Sequence, residues 1–162
     1  MSSICFESVP FSVLIKRGGF KPGEQINNSE NYFAHTPISQ NGVGKESLVS
    51  HMRKVHETFL EIVDLHKLDG IVDKHINELV LHNDIVEKQK FYEFLKLLFF
   101  ETIHFHDIGK VNENYQIEKM GMEKNFDLQD HPIGSTHSNL SVFLFYAYML
   151  EQLSVFLTDA EK

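Results

Sequence analysis

Residues 85–107 constrain this chain more than any other stretch. Phe91, Phe94, Leu95, Leu97, Leu98, Phe99, Phe100 and Ile103 make the segment apolar almost all round near its end. A helix of that kind belongs at the centre of a fold, because it has no face to give to water. The segment runs into Phe105-His106-Asp107-Ile108-Gly109-Lys110. Imidazole and carboxylate are both ligands of divalent metals. An adjacent His and Asp at the end of a rigid apolar helix therefore has the residue types of a metal site. Gly109 lets the backbone turn, and Lys110 is placed to meet an anionic group. Two residues cannot hold a hydrolytic metal centre, so the other ligands must come from elsewhere in the chain.

The periodicity predicts helices on either side. Leu48, Met52, Val55, Phe59, Ile62 and Val63 recur at spacings of three and four over 45–66, and Lys67-Leu68-Asp69-Gly70 closes that run. Ile71, Val72, Ile76, Leu79 and Val80 predict a second helix over 71–82, broken at Asn83-Asp84. A short polar helix or turn is expected over 111–121 and a loop over 122–136. The last helix is expected over 137–157, packing through Leu140, Val142, Phe143, Phe145, Tyr146 and Leu150, with Ser135 or Thr136 as its cap. Residues 5–16 read as a short strand or extended segment. Residues 17–46, rich in Gly, Asn, Ser and Pro, read as mostly loop. The class is mainly α: a helical bundle around the 85–107 helix with a short N-terminal extended segment. At 162 residues it fits a single domain, 1–162, able to bury a core without disulfides.

Composition excludes some classes. The one cysteine, Cys5, gives no disulfide framework, which makes the cytoplasm the expected compartment. The N-terminus lacks the order of a signal peptide. No apolar run approaches the roughly 20 residues of a membrane span. The net charge of -8 argues against tight unaided binding to nucleic acid. It leaves nucleic acid open as a substrate, because bound metal ions change the local sign. Val43-Gly44-Lys45-Glu46 fails as a phosphate-binding loop: the first Gly is missing, and Glu46 stands where a hydroxyl should bind Mg²⁺.

Ten histidines invite a search for ligands. His51 lies between Leu48 and Val55 on an apolar face, where it fits a satisfied core histidine as well as a ligand. His56 is off that line. His66, His75 and His82 sit at polar edges or helix ends and read as surface residues. His104 and His106 are separated by about 200° on a helix and cannot easily share one ion. Glu93, Lys96 and His104 fall broadly to one side, which reads as solvated. His106 and Asp107 are only about 100° apart and can converge where the helix ends. His137 opens the last helix, with Ser141 one turn on, either orienting it or facing solvent. His131, in a Pro-containing loop, competes with His137. His35 lies in the early loop and could line a site.

Four segments together resemble a known family. They are Tyr32-Phe33-Ala34-His35, Glu46-Ser47-Leu48-Val49-Ser50-His51, His106-Asp107-Ile108-Gly109-Lys110 with Tyr115-Gln116 after it, and His137-Ser138-Asn139-Leu140-Ser141. In order and spacing they are similar to the HD superfamily of metal-dependent phosphohydrolases. The finer resemblance is to the HD nuclease domain of the helicase–nuclease of type I CRISPR systems, and it covers most of residues 32–145.

The resemblance implies an HD-type helical domain that cleaves single-stranded DNA with divalent metal ions. The role would be DNA degradation in antiviral defence, beside a helicase domain or subunit and a CRISPR surveillance complex. It implies that His51, His106 and Asp107 hold one ion and that Asp107 bridges to a second, which His137 also ligates. Lys110 would contact the scissile phosphate, and His35 and Ser141 would stand behind the ligands. The ions expected are two among Mn, Ni, Co, Fe and Mg, working by two-metal logic. The family continues with an adjacent histidine pair and a distal Asp. No His follows His137 here, and Asp159 is the only Asp in that region. These residues are thus expected to be the N-terminal part of a longer nuclease or nuclease–helicase. Two alternatives stand beside this: a nucleotide phosphohydrolase using Asp159 as its late ligand, and a non-catalytic HD scaffold.

Overall fold

The computed structural model describes residues 4–17, 31–36, 44–123, 134 and 136–160, with 155–160 as backbone. It is mainly helical. The helices are α1 (Phe11–Arg17), α2 (Leu48–His66), α3 (Leu68–Leu81), α4 (Lys88–His104), α5 (Glu113–Glu118) and α6 (His137–Ala160). A 3-10 segment, Phe105–Val111, follows α4 directly. Two strands, β1 (Phe33–His35) inside the stretch expected to be loop and β2 (Glu46–Ser47) at the expected start of the first long helix, pair antiparallel. Residues 7–10 carry neither helix nor strand, as expected of an extended segment, whereas 11–17 is helical. Among the described residues no helix is long and apolar enough to cross a membrane.

The chain divides into two compact units, each made of separate stretches of sequence. The first comprises 1–20, 57–103 and 148–162. Its core gathers Phe6, Val9, Ile76, Val80 and Tyr92 in one cluster, and Phe11, Ile15, Phe59, Val63 and Phe100 in another. Each large side chain so buried contributes about 1.5–3 kcal/mol.

A polar seam runs through this unit. Asp69, Asp73 and Asn77 are spaced four apart and share one face of α3. They accept from the Phe11 N–H (2.9 Å), the Ser8 hydroxyl and the Cys5 N–H (2.9 Å). From α4, the Gln89 amide pairs with both backbone groups of Glu7, and the Tyr92 hydroxyl meets both of Val9. Lys96 lies in the middle, its Nζ 2.6 Å from Asp69 Oδ1, 3.0 Å from Asp73 Oδ1 and 2.7 Å from the Val9 carbonyl. With the Tyr92 hydroxyl at 3.1 Å, four oxygens surround the three donors of the ammonium. The solvated face expected through Lys96 and His104 is therefore not there: both residues are buried, with Lys96 0 % exposed. Residue type suggested water for Lys96, but partners on α3 and the N-terminal segment replace it.

Some apolar positions also turn outward. Ile71 and Leu79 are exposed because α3 buries the Asp73–Ile76–Asn77–Val80 face. Val142, Phe143, Tyr146 and Leu150, expected to pack, are exposed on α6. The buried line of that helix runs instead through Ser141 and Met149. A small residue at 141 lets α6 approach Gly109 closely.

Candidate metal centre

The second unit comprises 21–56 and 104–147. Its core is small: Ala34, Leu48 and Met52, with Tyr32 and Val111 packed against them. The strand pair sets Phe33 opposite Ser47 and His35 opposite Glu46, with an irregularity between Phe33 and His35. The Ser47 hydroxyl accepts the Ser50 N–H at the start of α2, as an N-terminal cap does. Leu48 and Met52 are buried, so His51 between them is held beside the core with its imidazole 16 % exposed.

After α4 the backbone tightens into 3-10 geometry, where side chains three apart eclipse. That places Lys110 over Asp107, with Nζ 2.7 Å from Oδ2. Gln116 ties this segment to β1. Its amide nitrogen donates to the carbonyls of Lys110 (2.6 Å) and Phe33 (2.9 Å), and its oxygen accepts the Phe33 N–H (3.0 Å). The Tyr115 hydroxyl adds a bond to the Ala34 carbonyl. Together these fix the strand that carries His35.

Gly109 brings α6 in. Its N–H donates to Ser141 Oγ at 2.8 Å. A Cβ at Gly109 would lie 2.0 Å from the His137 carbonyl and 2.6 Å from the Ser141 nitrogen. Only glycine permits that approach, and the approach sets His137 against Asp107. Ser141 is buried and serves Gly109 rather than His137 or solvent.

The result is one buried carboxylate ringed by nitrogen. Asp107 Oδ2 lies 2.9 Å from His51 Nε2, 3.2 Å from His106 Nε2 and 2.7 Å from Lys110 Nζ. Asp107 Oδ1 lies 3.3 Å from His137 Nε2. Burial alone pushes the Asp107 carboxyl up, but the His106 and His51 imidazoles and the Lys110 ammonium beside it outweigh burial and hold the group well below the usual carboxylate range. His35, His51 and Asp107 each offer a ligand atom, all within 4.8 Å of one another. The His35 and His51 rings meet edge to face at 4.7 Å. Burial, and then Lys110 and His51, lower the His35 pKa, which favours the neutral imidazole that ligates.

These residues fit a divalent cation. Several imidazole Nε2 atoms aimed at one buried carboxylate are a donor set that a metal serves better than shared protons do. Glu46 Oε2 lies 3.5 Å from His51 Nδ1, the position of a carboxylate that orients a ligating histidine from behind. The Lys54 hydrogen bond holds the Glu46 carboxyl below its ordinary range.

Of the residues singled out from sequence, His51, His106, Asp107, Lys110 and His137 meet in this unit. His35 joins as a candidate ligand rather than a residue behind the ligands. Lys110 is buried and committed to Asp107. His131 and the side chain of Asp159 lie outside the described residues. Sequence reasoning missed the parts played by Glu46 and Gln116. Glu46 acts through strand register, and Gln116 through backbone groups distant in sequence. Comparison with family models, curated proteins and solved structures finds no match to this chain.

Proposed function

We propose that this chain is a divalent-metal-dependent phosphodiesterase of HD type that cleaves single-stranded DNA in CRISPR interference. The single observation carrying the proposal is the convergence of His35, His51 and Asp107, with ligand atoms within 4.8 Å. The resemblance of the four segments selects the nuclease among metal-dependent hydrolases. His35, His51 and Asp107 would hold one ion, and His106 and His137 reach the same carboxylate at 3.2 and 3.3 Å. A bound divalent ion supplies an activated water and charge stabilisation at phosphorus. Asp107 keeps its charge through its hydrogen bonds, and Lys110 compensates that charge in the buried site. Glu46 orients His51. The acidic chain is served by a helicase domain or subunit that delivers the strand.

The test is cleavage of single-stranded DNA with Mn²⁺, Ni²⁺ or Mg²⁺, comparing the wild type with Asp107→Ala. Metal-dependent cutting by the wild type that disappears in the variant is expected. Cutting that survives the substitution rejects the assignment of Asp107.

A further inference from the structure

A cavity of about 520 Å³ adjoins the centre, and His35 and His137 are part of its wall. Its volume falls in the range of small-molecule sites, which is about 300–1,000 Å³. Ala34, Tyr115 and Met120 also line it, and all three are buried. Lys119, at the end of α5, lines it as an exposed cation. Lys110 is not available to an incoming anion in the same way, being buried against Asp107. Beside the hydroxyls of Thr36 and Thr136, the wall combines an apolar surface, a thioether, an aromatic ring and one exposed positive charge. An isolated phosphate needs only the charge. A planar aromatic body carrying a phosphate uses all of it, since thioethers and ring edges both pack well on π systems. The Tyr115 ring is set by its hydroxyl bond to Ala34 and by its edge contact with His137, 5.0 Å between centroids.

We propose that this cavity is the subsite for the nucleoside unit next to the phosphate at the His35–His51–Asp107 cluster. The base lies against Tyr115 and Met120, and its flanking phosphate meets Lys119. The inference rests on the phosphodiesterase reading and makes Lys119 the residue that selects a polynucleotide over a simple phosphodiester.

The experiment is binding of a deoxythymidine bisphosphate to the full chain, with and without Mn²⁺, beside a separate Mn²⁺ titration. Lys119→Glu is expected to weaken nucleotide binding by about tenfold or more, Lys119→Arg to stay near wild type, and the Mn²⁺ isotherm to stay unchanged in both. The matching abasic deoxyribose bisphosphate is expected to bind about tenfold more weakly than the thymidine compound. Equal binding of the nucleotide by wild type and Lys119→Glu overturns the proposal, as does equal binding of the abasic compound or no nucleotide binding at all. A wild type that binds the nucleotide through Lys119 but takes up no Mn²⁺ upholds the subsite and contradicts the metal reading instead.

Discussion

His51 Nε2 and Asp107 Oδ2 lie 2.9 Å apart, although one side chain comes from the start of α2 and the other from the 3-10 segment after α4. On its far side the His51 ring faces Glu46 across 3.5 Å. A carboxylate there fixes the tautomer that leaves Nε2 free to ligate. Glu46→Gln keeps the shape of the side chain and removes its charge. Calorimetric titration with Mn²⁺ should show affinity weakened by about 10–100-fold. Lys54→Ala, which removes the exposed partner of Glu46, should leave affinity close to wild type. Equal affinity in Glu46→Gln and wild type would contradict the orienting role.

Gly109 is the point where sequence, packing and site meet. In Gly109→Ala the new methyl would collide with the backbone of α6, at 2.0 Å from the His137 carbonyl. Overpacking of this kind costs about 1–3 kcal/mol and sometimes more. Urea unfolding should therefore show Gly109→Ala well below wild type, and metal binding should weaken with the displacement of His137. Ser141→Ala removes only the hydrogen bond to the Gly109 N–H, worth about 1 kcal/mol. A Gly109→Ala protein as stable as Ser141→Ala would refute the close approach.

Much of this architecture was legible because it depends on local periodicity. The α2, α3, α4 and α6 segments follow apolar spacings, and the Asn83-Asp84 break falls between α3 and α4. His106, Asp107 and His137 could be named because a helix end fixes where its last and first residues point. The rest depends on contacts far apart in sequence. The β1–β2 pair has only a few residues of weak pattern, and its partners are separated by a Gly- and Asn-containing stretch. Lys96 is charged, so it reads as solvated until Asp69, Asp73 and the Val9 carbonyl are brought to it. The exposed Phe143 and Tyr146 misled for the opposite reason, because the small Ser141 takes the buried face.

Removing the Lys96 charge should expose how much the first unit depends on its seam. Lys96→Met keeps a chain of similar length but leaves the buried Asp73 carboxylate without its cation. Breaking a buried pair from one side costs about 3–5 kcal/mol. Chemical denaturation of Lys96→Met should show a loss of that order, with part of it recovered in Lys96→Met combined with Asp73→Asn. A loss below about 1 kcal/mol would mean the seam is no stronger than a surface pair.

The same unit should weaken in alkali. Burial, then Glu101, pushes the Tyr148 phenol up to about 12. Burial also raises Tyr92 against the bonds from Lys96 and Val9. For Lys96, burial pulls down, but hydrogen bonds to Asp69, Tyr92 and Asp73 prevail and raise it. Each folded pKa thus lies above its unfolded value, so the folded state holds more protons over that interval. Stability is fully present below about pH 10, the unfolded range, and falls as pH rises towards the folded values. Unfolding free energies across alkaline pH should show this decline, with a shallower slope in Tyr148→Phe. A flat profile above pH 10 would contradict these shifts.

The most direct test of the metal centre is a Mn²⁺ titration of the full chain followed by calorimetry, with His51→Ala and Asp107→Asn alongside. Circular dichroism on the same samples verifies that each variant keeps its helices. The arrangement of His35, His51 and Asp107 predicts saturable binding by the wild type and loss of about a hundredfold or more in affinity in both variants. A wild type without saturable binding, or an Asp107→Asn variant that binds as tightly as wild type, would contradict it.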